Sequence, residues 1–479
     1  MSPVKSSPSY WHREPSIISY SNRIQQLHST EVPVLNSSKA SVTRRQFLAG
    51  GGALAMTTLA PTRTLSSAQK GPPRLRLAIV GTGSRGSQSW GKPIVATYSD
   101  VVELVGLCDI NSKRVQAAKA LMGTQAPTYL DFDRMVQETK PDAVMVTTVD
   151  STHYRYIIRA MELGRDVITE KPMCTDEDQC QSILDTQKKT GRKVTVTFNA
   201  RYGPEDMKVK ELLLDKAIGD LTSVDFHEYL DTSHGADYFR RWHRLKENSG
   251  TLLVHKASHH FDQANWWLDS DPVEVTAGGD LKFYGRNHSF RSTHCRVCPF
   301  QQQCPLYWNV TKNPVYVKLY TDCESEDGYL RDGCVWAENT NIYDTMSVIV
   351  KYANGVLMTY TANTYLPYEG QAIAFNGTKG RLDYRFFKGG GFAENELRLT
   401  RSFGKSEVIK DMATRREGEH GGADASLRDM IFRTPGGSDP LNLRADLRAG
   451  ALASLIGIAA YRSIERSGQK VRIPDLVKL

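Results

Sequence analysis

A lysine just beyond an apolar run and two histidines four residues apart are the groups in this chain best suited to moving a proton. Lys171 follows the short segment Asp166–Thr169, while His255, His259 and Asp262 fall at i, i+4 and i+7, one face of a helix. Oxidation of a secondary alcohol needs a base for the hydroxyl proton, a donor for the developing alkoxide and a hydride acceptor against the carbinol carbon. In this reading Lys171 is the candidate donor, and His255, Lys256 and His259 are candidates for moving the proton and meeting substrate hydroxyls. The same residues admit two other readings: a metal held by His255, His259 and Asp262, and capped structural histidines beneath Trp266 and Trp267. A zinc-protease reading fails, because Lys256 stands where that motif needs a glutamate.

The hydride acceptor has its own signature. An apolar run over 74–80 leads directly into Gly81-Thr82-Gly83-Ser84-Arg85-Gly86, then a helical stretch over 87–97 and a second apolar run over 101–108 that ends at Asp109. A lone GxGxxG is weak, but strand, turn, helix, strand and acid in this order form a dinucleotide site. Gly81 allows the tight turn, Gly83 lets backbone approach the pyrophosphate, and Gly86 lets helix and strand pack closely. Amides of Ser84 and Arg85 at the helix start face the phosphates. Asp109 accepts from the adenosine ribose and favours NAD; Lys113 and Arg114 leave NADP as the alternative.

These groups need a scaffold, and the following segments supply it. A buried-type strand over 142–148, a helix over 154–163 and the strand Asp166–Thr169 continue a βα rhythm, which predicts a parallel, doubly wound sheet. The Rossmann domain is expected over 72–195 and a substrate domain over 196–479. Alternation returns over 347–352 and 356–360, two strands meeting at Asn354-Gly355, and 444–466 reads as a closing helix.

Several motifs in order carry a family resemblance. Glu170-Lys171-Pro172 after the Asp166–Thr169 strand resembles the signature of the Gfo/Idh/MocA oxidoreductases, the glucose–fructose oxidoreductase and inositol dehydrogenase family. Thr147-Thr148-Val149-Asp150 with His153 is similar to that family's Thr-Pro-Asn…His loop, with Val149 in place of proline. Phe198-Asn199-Ala200-Arg201-Tyr202, Ile218-Gly219, Asn376-Gly377-Thr378-Lys379-Gly380 and His420-Gly421-Gly422-Ala423-Asp424 resemble its later landmarks. The resemblance covers about residues 73–470. It implies a Rossmann domain followed by an α/β domain with an open, mostly antiparallel sheet, which carries the substrate site and a homo-oligomer interface. It also implies cofactor contacts for Thr148, His153, Glu170 and Lys171, substrate contacts for Lys171 and Arg201, and a catalytic Asp-x-x-x-His segment in which His259 is the histidine and acid/base, with His255 or Lys256 contacting substrate hydroxyls. His255 stands where that segment has its aspartate.

Five cysteines crowd into an insert over 290–336. Cys295, Cys298 and Cys304 form a C-x2-C-x5-C run that suits tetrahedral thiolate coordination of structural zinc, with Cys334 as fourth ligand and His294 or Cys323 in reserve. Disulfides and unpaired thiols are the alternatives. A similar Cys-rich loop in a branch of the family supports a structural role. Tyr316, Tyr320, Tyr329 and Trp336 in the same region suit either sugar stacking or packing.

Residues 1–70 read as a disordered, Ser- and Pro-rich leader followed by Thr43-Arg44-Arg45-Gln46-Phe47-Leu48 and a short weakly apolar run, resembling a twin-arginine export signal with cleavage near Ser66-Ser67-Ala68. The long stretch before the arginines points to a start downstream of Met1. The apolar run falls short of the roughly 20 residues a membrane span needs, so no span is expected in the mature chain. Most of the formal charge of +8 lies in this leader. The near-neutral remainder offers polyanions no footprint and sets nucleic acid aside. The sequence therefore predicts an exported, periplasmic NAD(P)-dependent oxidoreductase acting on a sugar or polyol. An NAD-dependent glycoside-cleaving enzyme working by oxidation, elimination and reduction, and a non-catalytic sugar-binding protein, are the rivals.

Overall fold

Two sheets organise residues 74–391, 395–412 and 419–479, which the computed structural model describes. The first contains β1 (Leu75–Val80), β2 (Val102–Cys108), β3 (Thr128–Tyr129), β4 (Ala143–Val146), β5 (Asp166–Thr169) and β6 (Val194–Val196). All run parallel in the order β3-β2-β1-β4-β5-β6. Helices cover both faces of a parallel sheet, which is why every residue of β4 is apolar and buried. Strand order reverses between β1 and β4, so their carboxyl ends open the crevice where such folds bind ligands. Connecting helices are α1 (Lys92–Thr97), α2 (Ser112–Met122), α3 (Phe132–Thr139), α4 (His153–Glu162) and α5 (Glu177–Thr190). Side chains of Asn111 and Asp176 accept backbone N–H groups at the starts of α2 and α5.

The helix expected over 87–97 is not uniform. Arg85–Gly91 is wound as a π-helix before α1 begins. Pro93 has no N–H to give the carbonyl of Ser89 four residues back, and that carbonyl accepts instead from Arg428 Nη1 at 2.8 Å.

The second sheet has nine strands: β7 (Leu221–Asp231), β8 (Pro272–Asp280), β9 (Thr345–Tyr352), β10 (Leu357–Leu366), β11 (Glu369–Gly377), β12 (Gly380–Lys388), β13 (Glu396–Arg401), β14 (Ser406–Val408) and β15 (Val471–Arg472). Their order is β14-β13-β12-β11-β7-β10-β9-β8-β15, antiparallel throughout except for the β7–β10 pair. Along β9 every second residue is buried, so one face carries the core. β9 and β10 meet at Asn354-Gly355 as expected, with Gly355 in the left-handed region. The closing helix is Leu447–Glu465; it packs against β8 and the helix Ser258–Leu268.

The Cys-rich insert lies between β8 and β9. Read from sequence as part of the substrate domain, it also crosses to the Rossmann domain, where its helix Pro314–Leu319 packs on α2. Arg44 and Arg45, with the rest of the leader, lie outside the described residues. Among those described, no helix is long and apolar enough to cross a membrane.

Candidate active site

β1 delivers the glycine elbow to the crevice. Gly81 has φ +87°, and a Cβ there would lie 2.7 Å from the Thr147 and Thr148 backbone at the end of β4. A Cβ on Gly86 would stand 2.1 Å from the Gly81 carbonyl, so this glycine serves helix–strand packing. Gly83 is different: among the described residues, the only atom near its would-be Cβ is Tyr320 Oη, at 3.2 Å. Asp109, at the end of β2, holds the elbow from below, accepting from Thr82 N at 2.8 Å and Thr82 Oγ1 at 3.0 Å.

The elbow opens into a cavity of about 760 Å³. Gly81, Gly83, Ser84, Arg85, Asp109, Thr148, His153, Glu170 and Lys171 line it, as do His255, Lys256 and His259. One space thus gathers the candidate cofactor residues other than Gly86, together with Lys171, His255, Lys256 and His259. The residues fit a dinucleotide: the cradle at Gly83 would be filled by a side chain, an acid ends β2, and the volume suits a large ligand. Tyr320 is an unforeseen neighbour. Its hydroxyl accepts from Ser84 N at 2.7 Å, so a pyrophosphate must take this amide from it.

Arg201 is a correction. It does not line the cavity but is buried in a bidentate pair with Asp262, at 2.7 and 2.6 Å, and also donates to the Asn442 carbonyl. The expected substrate contact is a structural ion pair, and the pair removes Asp262 from any metal set.

A single helix through His255 and His259 was also expected. It breaks into Leu252–His255 and Ser258–Leu268. The His255 carbonyl, which an unbroken helix would offer to His259 N–H, accepts from Lys171 Nζ at 2.8 Å, and His259 N–H turns to Lys256 O. A side chain inserted in the hydrogen-bond ladder is a sufficient cause of the break.

The break turns His255 toward Asp150, whose Oδ2 lies 2.6 Å from His255 Nδ1. The sequence loses a carboxylate at position 255 and the fold returns one from the β4–α4 loop. Burial pushes Asp150 up, against Lys171 and Arg241; burial, with Lys171 and His243, pushes His255 well down. Burial thus disfavours charge on both partners, and His255 is uncharged at neutral pH. His243 packs on His255 with ring centroids 4.1 Å apart. Neither Asp150 nor His243 was picked out as a site residue; Asp150 stood in the Thr-Pro-Asn-like loop, but nothing in that loop names its partner.

Burial lowers the Lys171 ammonium to about 8, against the pull of Asp150 and Glu170. Burial also works against the charge of Glu170, but Arg85, with Trp90 Nε1 at 2.7 Å, holds its carboxyl below the usual range. Lys256 is the opposite case from Lys171: Glu228 Oε1 at 3.2 Å outweighs its burial and keeps it charged. His153 lies between the Pro172 and Thr148 carbonyls, with Nδ1 2.8 Å from the first and Nε2 3.1 Å from the second, so that its one N–H as a neutral ring serves one of them.

Cys295, Cys298, Cys304 and Cys334 do converge, with His294, on one small pocket, while Cys323 lies apart with its thiol on the Lys318 carbonyl. Among the described residues, however, no three His, Cys, Asp or Glu side chains are disposed to hold a metal ion. Cys295 Sγ accepts from Arg240 Nη1 at 3.3 Å, and burial pushes this thiol up. The zinc expectation for these four cysteines is not supported; they pack the base of the insert. Trp336 is buried in the same core, whereas Tyr320 and Tyr329 face the cavity.

Comparison with known proteins agrees with this geometry. Residues 75–198 match the oxidoreductase family's NAD-binding Rossmann fold and residues 210–473 its C-terminal alpha/beta domain, under the name GFO_IDH_MocA. The chain belongs to the Gfo/Idh/MocA family. This Gfo/Idh/MocA protein is an NAD(P)-dependent oxidoreductase. It is 36% identical to YteT of Bacillus subtilis (strain 168) over 419 residues, 82% of this chain and 95% of YteT. It is 32% identical to an inositol 2-dehydrogenase of Klebsiella pneumoniae (strain 342) over 201 residues, 41% of this chain and 55% of that one. The fold is similar to that of the WlbA dehydrogenase from Bordetella pertussis, solved with NADH and UDP-GlcNAcA, at a TM-score of 0.58 and 18% identity, covering 84% of this chain and 99% of that one.

Proposed function

We propose that this protein is an exported enzyme that passes hydride between NAD and a secondary hydroxyl of a sugar or polyol. The observation that carries the reading is the meeting of Lys171 and the Asp150–His255 pair in the cavity that begins at the glycine elbow. A nicotinamide held there supplies or accepts the hydride. Asp150 fixes His255 with Nδ1–H toward itself, which leaves Nε2 to take the hydroxyl proton. Lys171, held by the His255 carbonyl, directs its ammonium at the oxygen where negative charge develops. This geometry favours His255 over His259 as the acid/base and leaves His259 to contact a neighbouring hydroxyl.

Sugar or polyol is the class that the rest of the cavity suits. Asp237, Arg241, Asn248 and Lys256 offer hydrogen bonds to several hydroxyls, and Trp242 offers an apolar face. The match to an inositol 2-dehydrogenase points the same way. Export rests on the Arg44-Arg45 segment. Self-association rests on the apolar Ile349 and Leu357, half exposed on the outer face of β9 and β10.

The test is to purify the protein, remove bound nucleotide, and follow nicotinamide absorbance with NAD and a panel of sugars, polyols and aryl glycosides. Reduction of NAD by a polyol or sugar is expected. Glycoside consumption without any NADH would replace this reading by the glycoside-cleaving one, and indifference to NAD(H) would end both. Replacing Arg44 and Arg45 by lysine should keep the protein in the cytoplasm of a bacterial host; continued export would remove that part of the proposal.

A further inference from the structure

The first turn of α2 is where a Rossmann fold that accepts NADP receives the adenosine 2′-phosphate, using a cation and backbone amides just past the acid that ends β2. Here each of those groups is already taken by the insert, more than 200 residues away in sequence. Glu326 Oε2 accepts from Ser112 N at 2.6 Å and Lys113 N at 3.3 Å, and Oε1 from Ser112 Oγ at 2.7 Å. Lys113 Nζ donates to Ser325 Oγ at 2.8 Å. Arg114 reaches Asp327 Oδ2 at 2.6 Å, the Leu319 carbonyl at 3.1 Å and Asp109 Oδ1 at 3.3 Å. Asn111 Nδ2 donates to the Cys323 carbonyl at 3.0 Å.

We infer that the insert sets cofactor choice, with Glu326 standing in the seat of a 2′-phosphate and Asp327 holding Arg114 away from it, so that the protein takes NAD and rejects NADP. The inference rests on the dinucleotide reading above and adds to it a determinant outside the Rossmann domain. The chemistry is direct. A carboxylate that accepts two amides and a hydroxyl occupies the hydrogen bonds a phosphate would use, and its charge repels a second anion. Asp109 and Asp327 both engage Arg114, so two further carboxylates hold the guanidinium that a dianionic phosphate would need. Neither Lys113 nor Arg114, the cations that made NADP an open alternative, is left to compensate.

The probes are NADH and NADPH, titrated by nucleotide fluorescence into the full-length protein stripped of nucleotide, in the wild type, Glu326→Gln, and Glu326→Gln with Asp327→Asn. Wild type should hold NADH more tightly than NADPH, and the double variant should shift the ratio toward NADPH by about ten-fold or more, the scale of one charge-assisted hydrogen bond regained. Glu326→Gln alone should give part of the shift. Its exposed, isosteric side chain keeps the test alive if the double variant unfolds. Wild type binding NADPH as tightly as NADH, or an unchanged ratio in folded Glu326→Gln, overturns the inference while leaving a dinucleotide enzyme. Failure to bind either nucleotide overturns the dinucleotide reading as well.

Discussion

His255 Nδ1 lies 2.6 Å from Asp150 Oδ2, although the two residues stand 105 positions apart on different domains. Asp150 acts through His255, fixing its tautomer. Asp150→Asn should therefore lower kcat by about 10²-fold or more, and His255→Gln by a similar factor, the usual range for general acid–base catalysis. Both should leave NADH affinity near the wild-type value. Steady-state kinetics beside a nucleotide titration checks this; full activity in His255→Gln would return the role to His259.

Lys171 gives a pH limb. Its ammonium is the donor, and it is charged below about 8 and neutral above. The expected result is a kcat/KM that holds on the acid side and falls as pH rises through about 8. His255, uncharged already at neutral pH, adds no limb in that window. Lys171→Arg keeps the charge at every accessible pH and should abolish the alkaline fall while lowering the rate. A kcat/KM that climbs through 8 would make Lys171 the base instead.

Tyr320 competes for the elbow amide. Removing its hydroxyl in Tyr320→Phe frees Ser84 N–H. A neutral hydrogen bond is worth roughly 1 kcal/mol, so NADH should bind about five-fold more tightly. Weaker binding would mean that the hydroxyl caps the pyrophosphate rather than displaces it.

Arg201 and Asp262 predict a stability effect. Arg201→Ala leaves a fully buried carboxylate without its cation, which costs about 3–5 kcal/mol. Denaturant unfolding reads this directly. A change below 1 kcal/mol would show that Asp262 finds another partner or takes up a proton.

The parts of the molecule legible in the sequence are those written locally. The elbow from Gly81 to Gly86, the acid ending β2 and the apolar strands of the Rossmann sheet each carry their meaning within a few residues. Contacts between distant segments were not legible. Nothing near Asp150 names His255, nothing near Ser112 names Glu326, and the helix through His259 shows no break until Lys171 is placed against it. Arg201 was misread for the same reason: a motif gives residue type and place, but only packing decides whether a guanidinium meets substrate or the carboxylate of Asp262. The cysteine cluster is a subtler case. Spacing did bring Cys295, Cys298, Cys304 and Cys334 to one pocket, yet closeness in a core is a weaker condition than a shared tetrahedral vertex set.

The bond from Lys171 Nζ to the His255 carbonyl ties a Rossmann side chain to the main chain of the opposite domain. Any hinging that widened the entrance would first draw the ammonium off that oxygen. Admission of a new substrate and disarming of the proton machinery would then be one movement, so the enzyme would be inert whenever its door stands open.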